Sequence, residues 1–223
     1  MTSCSGWSDP GASGDNMYVP RSCYQPFIDF VWEAYDFDKG DWDDGFGWDQ
    51  PCDVLRPLAR TFNGLWCLEY SAPDWWNEGY DSPIINWAGR YARENIDELD
   101  GRCGTITGPF ATTQWGPFID NWTQLKLPFF FLSTVSMRAG TIIHEARHAS
   151  WKGHDNDPDD SSWGYNGAWR YHVCWIAWFL NRCTNTSVAM KDAARQRANQ
   201  ILANNFTTDP GFRLDQNGFA VPP

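Results

Sequence analysis

A single predicted helix constrains the fold most, because it carries most of the histidines in the chain. Three of the four histidines lie within the eleven residues HEARHASWKGH. Ser133 or Thr134 can cap a helix that runs to about Lys152, where Gly153 is a typical C-terminal stop. The helix is predicted to be largely buried because apolar residues recur at helical spacing, at Ile142, Ile143, Ala146 and Ala149.

The HEARH sequence contains the HExxH pattern, formed by His144, Glu145 and His148. Residues four apart on a helix lie on the same face, one turn from each other. Two imidazoles at this spacing can bind one Zn²⁺, and the glutamate can act as general base towards a metal-activated water. The pattern therefore predicts zinc ligands at His144 and His148 and a catalytic base at Glu145.

A catalytic zinc site needs a third protein ligand, and two residues after the helix are candidates. No glutamate follows Glu145 in the sequence, so a downstream glutamate cannot supply it. His154 directly follows Gly153 and can fold back towards the metal. Asp160 lies deeper in the loop and would have to be returned by the turn around Pro158. The residue that is not a ligand can orient a ligand imidazole or the bound water.

The residues around Asp160 resemble those of a peptidase family. The sequence DSSWG, which begins at Asp160, is similar to the DxxYG motif of aspzincins, the deuterolysin-like peptidases. The stretch also resembles uncharacterised bacterial proteins that carry HEARH, then GH, then an aspartate seven residues before GAW. The resemblance covers under a quarter of the chain. It implies a zincin-like fold, zinc-dependent hydrolysis of peptide bonds, and Asp160 as the third ligand, with His154 as the alternative.

The same resemblance implies a side chain that stabilises the oxyanion, which is a tyrosine in this family. Trp163 stands at the corresponding position, and its indole N–H can donate a hydrogen bond but cannot act as an acid. We therefore expect Tyr165 to be the second catalytic residue, with Tyr171 and His172 as alternatives. His172 lies on an aromatic helix face, a position that is more typical of a core histidine.

The net charge of −11, from 28 acidic and 17 basic residues, excludes two classes of partner. Nucleic acids and anionic membranes need a basic face, and no apolar run reaches the roughly 20 residues that span a bilayer. We therefore expect neither a nucleic-acid nor a membrane partner. Aromatic residues make up 17 % of the chain, and we expect most in the core and some along a cleft or groove.

The seven cysteines favour a secreted, extracellular protein, because none forms a CxxC pair and five are scattered through the N-terminal half. We expect two or three disulfide bonds and an odd thiol. Cys174 and Cys183 cannot pair with each other within a helix, where they would lie about 13 Å apart. The alternative is a cytoplasmic protein with seven reduced cysteines.

The pattern along the chain predicts one domain over residues 1–223, of the α+β class, mainly helical with a small sheet. An extended arm is predicted at 1–25 and a C-terminal tail at 205–223. One edge strand is predicted at 124–132, because Pro128 removes a ladder donor. Helices are predicted at 25–35, 53–68, 83–99, 133–152, 167–182 and 186–204.

The loop DFDKGDWDDG, residues 36–45, alternates aspartates in the manner of a calcium-binding loop. It lacks glycine at loop position 6 and glutamate at position 12, so it is not an EF-hand. We expect either Ca²⁺ bound by its carboxylate oxygens or a solvated acidic loop.

Taken together, these features favour a secreted zinc metalloendopeptidase that acts on protein or peptide substrates. Two alternatives stay open from the sequence. One is a secreted, aromatic-rich binding module with a non-catalytic metal site, and the other is a zinc hydrolase of a non-peptide substrate. The sequence does not indicate an oligomeric state.

Overall fold

A computed structural model describes residues 22–70, 83–117, 119–183 and 186–219 of the chain. It confirms an α+β protein that is mainly helical with a small sheet. In the described part, the helices are α1 (Gln25–Ala34), α2 (Pro57–Tyr70), α3 (Pro83–Asn95), α4 (Leu127–Phe131), α5 (Val135–Ala149), α6 (Ala168–Arg182) and α7 (Val188–Asn204). The strands are β1 (Glu98–Gly101), β2 (Ala111–Gly116), β3 (Ile119–Leu125), β4 (Leu214–Asp215) and β5 (Gly218–Phe219).

Helix α5, which carries the HExxH residues, lies at the centre of the molecule. It packs against α2, α3, α6 and α7 and against strand β2, so it is buried on almost every side. The Thr134 side chain caps it by accepting a hydrogen bond from the Met137 amide. This agrees with the predicted N-cap.

The end of α5 differs from the prediction. The helix ends at Ala149, and Trp151 rather than Gly153 adopts the left-handed conformation that follows it, with φ of 67°. A tryptophan in this conformation is uncommon. Its exposed ring contacts that of Trp115 on β2, with centroids 5.2 Å apart. We attribute the early stop to this tertiary contact, which the local glycine signal does not include.

The predicted strand at 124–132 is wrong in its second half. Strand β3 ends at Leu125, and residues 127–131 form the short helix α4 with Pro128 in its first turn. Proline is well tolerated there, because the first helical N–H groups have no partner within the helix. All five residues of α4 are buried, so the segment LPFFF is apolar on every side and does not alternate as a half-buried strand would.

Two other boundaries also move. Helix α2 begins at Pro57 rather than at residue 53, which is the position that proline favours in a helix. Helix α3 ends at Asn95 rather than at residue 99. Glu98 and Leu99, which the prediction placed in this helix, belong to β1. The predicted arm at 1–25 lies almost entirely outside the described residues, and the predicted tail contains the β4–β5 hairpin.

The three-stranded sheet has the order β1–β3–β2 and covers one side of α5. Strand β1 is parallel to β3, with Glu98 opposite Trp122, and β2 is antiparallel to β3, with Thr113 opposite Thr123. Within the described part of the chain β2 pairs with β3 alone, so it is an edge strand next to the HExxH helix.

The cysteines match part of the disulfide prediction. Cys23 and Cys52 form a disulfide bond, and Cys103 is disulfide-bonded as well. Cys174, on α6, is a free cysteine, and burial raises the pKa of its thiol to about 11. None of the described helices is long and apolar enough to cross a bilayer.

Candidate metal centre

His144 and His148 lie one turn apart on the same face of α5, as the spacing predicts. Their Nε2 atoms are 3.1 Å from each other, and their ring centroids are 4.8 Å apart. The Nδ1 atom of His148 lies 2.9 Å from the carbonyl oxygen of Lys152. We assign the proton to Nδ1, which donates to that carbonyl, so the Nε2 lone pair of His148 points at His144.

His154 completes a cluster with these two histidines. Its ring centroid is 5.3 Å from that of His144 and 4.6 Å from that of His148. Ligand atoms of the three side chains all lie within 4.8 Å of one another. The turn at Trp151, just after α5, reverses the chain and carries His154 back over the helix face. Of the predicted ligands, the structure therefore brings His144, His148 and His154 together.

Asp160 lies behind His154, outside this group of three. Its Oδ1 atom accepts a hydrogen bond from Nδ1 of His154 at 2.8 Å, and its Oδ2 atom is 3.3 Å from the amide nitrogen of Trp169. The side chain is fully buried at the N-terminus of α6, where the helix dipole stabilises a negative charge. The contact holds His154 in the tautomer that leaves Nε2 available.

Gly167 permits this position of Asp160. A Cβ atom on Gly167 would lie 2.6 Å from Cγ of the Asp160 carboxylate, which is closer than any real contact. The backbone of Asp160 is also fixed, because its N–H donates to Asn205 and its carbonyl accepts from Thr207. Backbone hydrogen bonds therefore fix the loop after α5 at Asp160.

The donor set fits a zinc ion. Nitrogens bound to one zinc at 2.0–2.1 Å with tetrahedral angles lie about 3.3 Å apart, close to the 3.1 Å between the Nε2 atoms of His144 and His148. Burial lowers the pKa of His144 well below its usual value and also lowers that of His148. Both imidazoles are therefore neutral at pH 7, which is the form that binds metal.

An unsatisfied polar atom also marks this group. Nδ1 of His144 is buried without a hydrogen-bond partner among the described residues. Because a buried imidazole nitrogen without a partner costs free energy, His144 is not satisfied by the protein around it. Nε2, the nitrogen that faces His148, is the one that would bind zinc.

Glu145 faces the same cleft and is held by the sheet. Thr113 of β2 donates a hydrogen bond from Oγ1 to Oε2 of Glu145 at 2.7 Å, and Thr113 and Thr123 are themselves 2.8 Å apart. Burial raises the pKa of Glu145 to about 7, although the Thr113 hydrogen bond and the nearby His154 both lower it. A carboxyl group with this pKa can take up and release a proton near neutral pH.

The predicted catalytic Tyr165 lies elsewhere. Its hydroxyl group donates to the carbonyl oxygen of Gly153 at 2.7 Å, and the ammonium of Lys152 lies over its ring. Tyr165 is not among the residues that line the cleft. Its role in catalysis stays a prediction, and its contacts instead fix the backbone just before His154.

The two alternatives to Tyr165 also differ in position. The ring of Tyr171 packs against the guanidinium of Arg147 and is not part of the cleft lining. His172 does line the cleft, is buried, and has a pKa lowered to about 3, chiefly by burial. Gly140 on α5 allows its approach, because a Cβ atom there would lie 2.6 Å from Cδ2 of the His172 ring.

The cleft itself has a volume of about 410 Å³, within the usual range for a ligand site. Three residues that sequence reasoning missed contribute to it: Thr113, Trp169 and Arg197. Trp169 contacts His144, with centroids 4.2 Å apart, and its indole N–H donates to Pro158. Thr113 and Arg197 come from distant segments without a motif of their own, so only the tertiary structure shows them.

A second group of candidate ligands lies at β1. Carboxylate atoms of Asp41, Glu98 and Asp100 lie within 4.8 Å of one another. Asp41 belongs to the acidic loop 36–45, whose backbone joins the sheet where Asp43 N–H donates to the Gly101 carbonyl. Burial and the two neighbouring carboxyl groups raise the pKa of Glu98 to about 8. The predicted cation-binding loop therefore has additional carboxylates at the sheet edge.

Thus the described residues contain two possible metal sites, one of histidines and one of carboxylates. Comparison of the chain with protein-family models, with curated proteins and with solved structures finds no match.

Proposed function

We propose that the protein is a zinc-dependent metallopeptidase of zincin type. The observation that carries the proposal is the convergence of His144, His148 and His154 in one cleft with Glu145. This set contains three imidazole ligands and a carboxylate base, as a hydrolytic zinc site requires. The resemblance of the sequence around Asp160 to aspzincins favours peptides as the substrate class.

His154 is our proposed third ligand, with Asp160 as its hydrogen-bond partner. The sequence resemblance implied Asp160 as the ligand. The position of the Asp160 carboxylate on Nδ1 of His154 supports the other assignment. A carboxylate in this place orients a ligand imidazole and raises its basicity.

Bound zinc would polarise the peptide carbonyl and lower the pKa of a water molecule in the cleft. Glu145 would accept a proton from that water molecule while the oxygen of the water bonds to the carbonyl carbon of the peptide. As the C–N bond breaks, Glu145 would return the proton to the leaving amine nitrogen. Thr113 would keep the glutamate in place through its hydrogen bond to Oε2.

Strand β2 is the proposed binding site for the substrate backbone. The sequence predicted an edge strand at 124–132, but the strand that contacts Glu145 is β2. Its outer edge has no strand partner among the described residues, and Ala111, Thr112 and Thr113 line the cleft. An extended peptide can therefore pair with β2 beside the base.

Zinc removal tests this proposal directly. We expect the purified chain to retain about one equivalent of zinc, to cleave unfolded casein, and to lose that activity after dialysis against a chelator. Added zinc should restore cleavage, because the histidine cluster is formed by the fold. Metal content by atomic spectroscopy and peptide release by mass spectrometry give the two readouts.

Each alternative predicts a different result. Stoichiometric zinc without cleavage of casein or of a peptide library would contradict the peptidase proposal and favour a non-catalytic site or a non-peptide substrate. A chain that binds no zinc after metal-replete purification would contradict the whole assignment and favour the aromatic-rich binding module. The Cys23–Cys52 disulfide supports secretion in either case.

For the acidic cluster we propose that Asp41, Glu98 and Asp100 bind Ca²⁺. The observation that favours it is Oδ1 of Asp100, which is buried without a hydrogen-bond partner among the described residues. One guanidinium, that of Arg102, lies 2.9 Å from Asp41 and 3.8 Å from Asp100. Because the pKa of Glu98 is raised to about 8, the three carboxyl groups are not all charged at pH 7 without a cation, and a hard cation such as Ca²⁺ would favour the charged form of Glu98.

Calcium is expected to raise the melting temperature of the chain by several degrees. Ligand at a hundredfold excess over Kd stabilises the folded state by about 2.7 kcal/mol, and the melting temperature rises by about 2–4 °C per kcal/mol in a domain of this size. Glu98→Gln should abolish the shift, whereas Asp44→Asn, in the same loop but exposed, should retain it. A shift that survives Glu98→Gln would contradict the assignment.

A further inference from the structure

Arg197 is a charged side chain in the cleft for which the fold supplies no counter-ion. It projects from α7 and lines the same cavity as His144 and His172. Its Nε atom is buried and has no hydrogen-bond partner among the described residues. No salt bridge joins it to a carboxylate within the part of the chain that the structure describes. The side chain is partly exposed to solvent, and the described fold supplies no group that neutralises its charge.

The other groups in the cleft do not compensate this charge. Its two carboxylates are Glu145 and Asp157. Glu145 accepts its hydrogen bond from Thr113, and neither carboxylate forms an ion pair with Arg197. The charge instead acts on His172. Arg197 lowers the pKa of this histidine, in addition to the larger effect of burial.

Arg195 provides a comparison on the same helix. Arg195 lies two residues earlier on α7, and its Nη2 atom is 3.3 Å from a carboxylate oxygen of Asp192. It is not part of the cleft lining. Nε of Arg195 is also buried without a partner among the described residues. The two arginines therefore differ in the contact of Arg195 with Asp192 and in their position relative to the cleft.

We propose that Arg197 binds a carboxylate group of the substrate and so makes the cleft selective for acidic peptides. The inference rests on the proposed function for the peptide part of the ligand. Five N–H donors in a planar fork match a carboxylate in two-point geometry. Met137, Thr141 and Phe110 also line the cleft, and none of them carries a charge.

The carboxylate can belong to an acidic side chain or to the C-terminus of the peptide. N-acetyl-glutamate α-amide carries only the side-chain carboxylate, and N-acetyl-glutamine carries only the α-carboxylate. N-acetyl-glutamine amide is the neutral control. Isothermal titration of the full chain after zinc removal measures each probe without a carboxylate–metal bond. The acid that binds more tightly identifies the source.

Arg197→Gln is expected to weaken the preferred acid by about ten- to a hundredfold. Arg195→Gln removes the same charge from the same helix outside the cleft, and it should leave the affinity unchanged. Equal binding of the neutral amide and the two acids would overturn the proposal. So would the absence of binding by either acid, or equal losses in both arginine variants.

The melting temperature separates recognition from a structural role. Because Arg197 has no partner within the described structure, Arg197→Gln should leave the melting temperature unchanged or raise it. A fall of several degrees would show that the guanidinium supports the fold and would overturn the assignment. These measurements need no hydrolysis, so a chain that binds the acid but cleaves no peptide would contradict the proposed function and leave the carboxylate site standing.

Discussion

Glu145→Gln is expected to reduce peptide hydrolysis by about 10²- to 10⁴-fold and to leave zinc binding unchanged. Glutamine has almost the same shape as glutamate and can still accept the hydrogen bond from Thr113. It cannot take a proton from water, so only the general-base step is lost. Steady-state cleavage of a fluorogenic peptide, together with zinc content, measures both parts of the expectation.

A matched control is available on the surface. Glu94 forms an exposed pair with Arg90, so Glu94→Gln should retain both zinc and activity. Full activity in Glu145→Gln would contradict the role given to this glutamate. Loss of zinc in the same variant would show instead that the carboxylate belongs to the metal site.

The second large effect concerns the contact between Asp160 and His154. Asp160→Asn should weaken zinc binding by about 10- to 100-fold, as is typical for a residue that orients a ligand. His154→Ala should weaken it further, because a direct ligand is removed. Competition with a chelating dye of known affinity gives both dissociation constants. If Asp160 is the direct ligand, the order of the two variants is reversed.

Gly167→Ala perturbs the same contact without changing either partner. The new Cβ would lie 2.6 Å from Cγ of Asp160, so the carboxylate has to move away from His154 and zinc binding should weaken. Gly153→Ala is the matched control, because a Cβ there meets nothing within 4 Å and the residue does not have a positive φ. A Gly167→Ala variant with unchanged zinc affinity would contradict the importance of the contact.

The HExxH helix could be predicted because the features that indicate it lie close together in the sequence. The spacing of His144 and His148 fixes their common face wherever the helix lies, and the apolar residues around them indicate burial. Their position against β2 is not local. Thr113, which holds Glu145, lies outside the predicted helices and the predicted strand, and no pattern near it indicates a contact with the HExxH helix.

The choice of the third ligand also depends on tertiary structure. Both His154 and Asp160 were identified as candidates, but their relative depth depends on the turn at Trp151 and on the backbone contacts of the loop. The incorrect strand at 124–132 has a different cause. A short apolar run such as LPFFF is compatible with a strand or a buried helix, and here Pro128 and burial on all sides favour the helix.

The backbone contacts of Asp160 connect the metal centre to the far end of the chain. Asp160 exchanges hydrogen bonds with Asn205 and Thr207, which lie directly after α7. Binding equilibria that share a structural element are coupled reciprocally, each by the same free energy. Bound zinc would therefore stabilise the C-terminal segment by the same free energy by which that segment stabilises zinc binding. Proteolytic loss of the chain beyond Asn204 would lower metal affinity although it removes none of the three histidines.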